Sequence, residues 1–129
     1  MPEVISIIAD LAAIGSLIVA IYVHWRIVSR DRKRETIAEF NKIRDKYPDI
    51  NYSSSDKEKK AYLTELERFC VGINQGIYDL DILEKMSKTL LLSQYAYLKN
   101  FVTERREVLD QETAYSEYVS VIEKLKTNK

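Results

Sequence analysis

The chain has 129 residues, 20 basic and 20 acidic side chains, one histidine and one cysteine. That length allows one small domain. The balanced charge excludes a broadly basic nucleic-acid-binding face, and the lone Cys70 excludes an internal disulfide framework and fits a reducing cytoplasm. Only 3 glycines and 2 prolines interrupt the chain, so an all-α fold is predicted.

Val4 to Val23 reads VISIIADLAAIGSLIVAIYV and carries a single charge, Asp10. As a helix it is about 30 Å long, the thickness of a bilayer's hydrocarbon core. A cleaved signal peptide would begin with a basic segment and end at a small-residue cleavage site. This chain begins Met-Pro-Glu, and the run ends in Ile-Tyr-Val-His-Trp. A buried soluble helix would show a polar face, and this one does not. Tyr22 and Trp25 fall where an interfacial aromatic belt belongs. Arg26, Arg30, Arg32, Lys33 and Arg34 follow at once, which predicts the N-terminus outside, the C-terminus inside, and a basic contact with the membrane surface.

Asp10 is the exception within the run. A carboxylate inside a span costs roughly 2.5–3.5 kcal/mol on insertion scales unless protonated, paired or facing a partner. Ser6 shares its face, and beside that face Ala12, Ser16 and Ala20 recur every four residues, the spacing that lets helix backbones approach closely; Ala9 and Ala13 form another such pair. Two readings stand: spans associate with Asp10 hydrogen-bonded inside the contact, or Asp10 is tolerated near the outer leaflet by local water and snorkelling.

Ser29 to Thr36 contains no apolar residue, so it is expected to continue the anchor helix as a solvated stalk with no buried face. From Ile37 a helical stripe appears, Ile37, Phe40, Ile43 and Tyr47, and Pro48 ends it. PDINYSSSD is a loop, and Ser55 with Glu58 spells a capping box opening a helix over Asp56–Gln75, whose stripe is Tyr62, Leu66, Phe69 and Ile73, with Leu63 and Cys70 beside it. Gly76 stops or bends that helix, and Asp79 caps a short one to Met86. Ser87 can cap a longer helix, Lys88 to Leu109, with Leu91, Tyr95, Leu98 and Val102 on its face. A last helix, Thr113 to Lys126, carries Tyr115, Tyr118, Val119, Ile122 and Leu125. The organisation expected is a transmembrane anchor over 1–25, a basic solvated stalk over 26–36, and a cytoplasmic bundle of about four helices over 37–129.

No HExxH, CxxC, glycine-rich phosphate loop or GxSxG occurs. Cys70 and His24 are far apart, so catalytic, metal and cofactor sites are all expected to be absent, and the chain is read as no enzyme. Arg105 lies near the buried stripe of its helix, and Glu67 adjoins Leu66. They are either an intra-bundle pair fixing register, or Arg105 faces an anionic ligand.

The span, the basic stalk, then LERFCVGINQGIYDLDIL, LKNFVTERRE and AYSEYVSVIEKL together resemble a family of small bacterial and phage proteins with one N-terminal span, catalogued as a domain of unknown function. The resemblance implies a single-pass helical protein and no activity, and it brings no functional residues. The function expected is protein–protein interaction at a bacterial inner membrane or plasma membrane, as an adaptor or regulator. The alternative is a membrane-perturbing effector, such as a small toxin, host-defence or phage-exclusion protein, working through assembled spans. The partners expected are the bilayer and a second copy or another membrane protein, with no nucleic acid and no small-molecule substrate.

Overall fold

A computed structural model describes residues 2–127. Met1, where the expected anchor starts, and residues 128 and 129, where the expected bundle ends, lie outside them. Four helices account for the regular structure: α1 (Pro2–Lys46), α2 (Asp56–Asn74), α3 (Leu80–Leu109) and α4 (Ser116–Thr127). There is no strand among the described residues. The chain divides into two units, Met1–Arg32 and Lys33–Lys129.

Within the first unit α1 is an unbroken helix, apolar up to Val23 apart from a few polar residues such as Asp10 and basic beyond it. Its side chains from Leu11 to Ile18 are 54–62% exposed wherever they are large and hydrophobic, so nothing in the chain covers them. It is long and apolar enough to cross a membrane.

The second unit is a bundle whose core draws on every helix: Phe40 and Ile43 from α1, Tyr62, Leu63, Leu66, Phe69, Cys70 and Ile73 from α2, Leu83, Leu91, Leu98, Phe101 and Val102 from α3, and Tyr118, Val121, Ile122 and Leu125 from α4. These positions recur at three and four within each helix, the period that turns one stripe inward. Aromatic contacts link the stripes: Phe40 tilts against Phe69 at 5.7 Å, Phe69 stacks on Tyr78 at 5.0 Å, and Tyr95 meets Tyr118 edge-on at 6.0 Å.

The loops are built as their residues dictate. Tyr47, half-buried before Pro48, is the last residue to donate into α1, to the Ile43 carbonyl at 3.1 Å. Asn51 folds the loop on itself, its Oδ1 accepting from Ser53 N–H at 2.7 Å while its own N–H donates to Ser54 Oγ at 2.9 Å. The Ser55 hydroxyl then accepts from Glu58 N–H at 3.2 Å, the cap expected there. At the far end of α2, Gly76 takes φ +77, and Ile77 and Tyr78 both donate to the Gly72 carbonyl, at 2.9 and 3.1 Å. Gly72 lies beneath the Tyr78 ring, where a Cβ would come within 2.4 Å of two ring carbons. The two glycines of VGINQGIYD therefore do different jobs: one turns the chain, the other receives the tyrosine.

Two expectations need correction here. Thr36, assigned to a stalk with no buried face, is 0% exposed, and its hydroxyl accepts from Asp79 N–H at 2.8 Å; a small hydroxyl can be buried where it satisfies a backbone donor. Ser87, where a second helical segment was expected to open, stands with φ −151 and ψ 18 at a kink between two helical stretches of α3, and its hydroxyl donates to the Leu83 carbonyl at 3.1 Å. The last helix begins at Ser116, not Thr113, because Asp110 and Tyr115 both adopt left-handed backbone, φ 52 and φ 60. Arg106 secures that connection, donating from Nε to the Ala114 carbonyl at 2.8 Å, while its own carbonyl accepts from Gln111 N–H at 3.0 Å.

Candidate functional site

The residues singled out in the apolar run all lie exposed on α1. Asp10, Ala12, Ser16 and Ala20 are exposed, and among the described residues Asp10 has no hydrogen bond or ion pair. At 100° per residue, Ala9, Ala13, Ser16 and Ala20 fall on one side of the helix. Asp10 is about 60° from Ala13 and about 80° from Ala20, so it borders the small-residue face rather than occupying its middle. Of the basic residues that follow, Arg26, Arg30, Lys33 and Arg34 are exposed and Arg32 is half-buried. The Arg26 guanidinium lies 5.8 Å from the centre of the Tyr22 ring, a cation–π contact along one face of the helix.

In the bundle the expected pair of Glu67 and Arg105 does not form. Glu67 instead reaches the start of α4, its two carboxylate oxygens accepting from Glu117 N–H at 2.9 Å and Tyr118 N–H at 2.7 Å. These amides have no partner within α4, and the preceding Tyr115 has no side-chain acceptor suited to capping them. Beside them Asn74 donates to Glu117 Oε2 at 2.5 Å and accepts from Lys124 at 2.6 Å. Arg105 is left with a buried Nε that has no hydrogen-bond partner. A carboxylate one residue from a core leucine gives no sign in sequence of which helix end it will cap, so this α2–α4 connection was not foreseen.

Cys70 is buried, and burial pushes its thiol well above the usual range, with the Glu67 and Glu117 carboxylates acting in the same direction. That favours the protonated, unreactive form. The Tyr62 hydroxyl donates to Gln94 Oε1 at 2.5 Å, whereas the buried Tyr118 hydroxyl has no partner.

Among the cavities that open on the bundle, two gather polar side chains around aromatic rings. One, of about 390 Å³, has Phe69 and Tyr78 in its wall and mixed charges around them: Glu39, Lys42, Arg68, and the ion pair of Lys46 with Glu65. The other, of about 380 Å³, lies among α1, the Pro48 loop, α2 and α3, and is lined by Asn41, Arg44, Asp45, Tyr47, Tyr62 and Gln94 among others. None of these polar residues belongs to a recognisable motif, so spacing alone does not reveal their convergence.

An all-α protein with one helix apolar enough to cross a membrane and a separate helical bundle is the class these features define. The profile of DUF4760, described as a domain of unknown function, matches residues 7–125, and the chain belongs to that family. No curated protein and no solved structure matches it.

Proposed function

We propose that this is a single-pass membrane protein that works by protein–protein interaction and carries out no catalysis. The apolar helix is the span, with its N-terminus outside and the bundle on the cytoplasmic side of an inner or plasma membrane. The observation that carries the reading is the exposure of every described large hydrophobic side chain from Val4 to Val23, interrupted by the single acid Asp10. Fully burying such side chains is worth about 1.5–3 kcal/mol each, so a helix of this kind needs lipid or protein around it. The five bases after Val23 support the orientation, because positive charge is retained on the cytoplasmic side.

Asp10 and the small residues beside it support association of spans, either between copies or with another membrane protein. A carboxylate inside hydrocarbon is stabilised by a hydrogen-bonding partner, and a small-residue face lets that partner come close. The same Asp10 supports a second reading, in which assembled spans perturb the membrane. In the first reading the bundle serves as an adaptor or regulator, offering its faces to a partner.

Labelling from the two sides of sealed vesicles tests the orientation. A cysteine introduced at exposed Tyr52 reacts with an impermeant maleimide only after the inner face is opened, and one introduced at Val4 reacts from outside. The reverse pattern, or equal reactivity of both, contradicts the reading. In the same cells, dissipation of the membrane potential on expression marks the membrane-perturbing reading, and an intact potential marks the adaptor.

A further inference from the structure

The cavity of about 380 Å³ beside the Pro48 loop is at the lower end of the range for small-ligand sites, roughly 300–1,000 Å³. Its lining carries one cation, Arg44, and one anion, Asp45. Neither makes an ion pair among the described residues. As neighbours on a helix their side chains diverge and do not pair with each other. Gln94 also lines the cavity and is only 7% exposed. Its carbonyl oxygen is taken by the Tyr62 hydroxyl at 2.5 Å, which leaves its NH₂ group with no acceptor among the described residues. That NH₂ group is not sealed from solvent, so it is open to donate to a group bound in the cavity. Asn41 adds a further polar group, and the rest of the lining is apolar or aromatic: Leu90 and Ile50 face the cavity, and the Tyr47 and Tyr62 rings meet edge to face at 5.7 Å.

We propose that this cavity binds a small zwitterion, an α-amino acid with an apolar side chain. The ligand's carboxylate takes Arg44 and the Gln94 NH₂, its ammonium takes Asp45, and its side chain packs on Tyr47 and Leu90. An unpaired cation, an unpaired anion and an amide donor open to the same cavity match that ligand group for group, whereas a simple anion would leave Asp45 opposing it. The bound molecule is a ligand, and no reaction on it is implied. The proposal concerns the bundle alone and is independent of how the apolar helix is read.

Calorimetric titration of the full-length protein in detergent with L-leucine and L-phenylalanine tests it. At least one gives saturable binding, and its N-acetyl and carboxamide derivatives, each lacking one charge, bind at least about tenfold more weakly. Arg44→Gln and Asp45→Asn, at exposed positions outside the core, keep the helical circular dichroism of the parent and each weaken binding by about tenfold or more. Gln94→Leu weakens it too, but the two exposed variants decide if that chain fails to fold. No saturable binding of either amino acid overturns the proposal. So does equal binding of the derivatives, or a loss below tenfold in either exposed variant.

Discussion

Tyr62 and Tyr118 are both buried in the same core, and their hydroxyls have opposite fates. The hydroxyl of Tyr62 is bonded to Gln94 and that of Tyr118 to nothing. Removing a bonded hydroxyl leaves its acceptor short, whereas removing an orphan relieves a desolvation cost. Tyr62→Phe therefore lowers stability by about 1–2 kcal/mol, and Tyr118→Phe leaves it unchanged or raises it by up to about 1 kcal/mol; thermal melts of the two variants check the difference in sign. Burial raises the pKa of both phenols above their ordinary value of 10.0. Unfolded tyrosines then lose protons at a pH where the folded ones keep theirs, so the stability is fully present below that ordinary value and declines as pH climbs beyond it. The buried Cys70 thiol, also raised by burial, adds to the loss from its ordinary value of 9.0 upward. A melting temperature that held constant from about pH 8 to about pH 11 would contradict this account of the core.

Among the helices, α4 depends on a residue that does not belong to it. Glu67 of α2 caps the Glu117 and Tyr118 amides, so Glu67→Ala removes the cap and costs about 1–2 kcal/mol, in the range of capping substitutions. Hydrogen exchange at those two amides accelerates more than at the α2 core, and Glu67→Gln, which retains one acceptor, gives a smaller change; unaltered exchange in Glu67→Ala would refute the cap. The helix stripes, the Ser55 and Asp79 caps and the Gly76 turn were legible from the sequence because each rests on contacts within a few residues. The start of α4 was not. Tyr115 is held left-handed by a connection that Arg106 closes from eight residues away, and no local propensity encodes that. Likewise Thr36 is buried where the turn before α3 brings Asp79 N–H to its hydroxyl.

For the molecule as a whole, the division of labour between its two units was plain in the sequence, since an apolar run of twenty residues and a charged amphipathic remainder require different surroundings. The cavity beside Pro48 was not, because Arg44, Asp45 and Gln94 meet only through the packing of separate helices. The proposed function makes the apolar helix both an address and, through Asp10, a means of association, and it depends on that claim. An isolated acid in hydrocarbon costs roughly 2.5–3.5 kcal/mol, and a partner hydrogen-bonded to it recovers part of that cost. The most direct measurement is the mass of the protein in mild detergent by sedimentation, at matched protein-to-detergent ratios, for the parent chain and for Asp10→Ala. Association through Asp10 predicts a parent larger than one chain and its partner-free size in Asp10→Ala. A parent that sediments as a single chain, or an Asp10→Ala variant of undiminished mass, would contradict it.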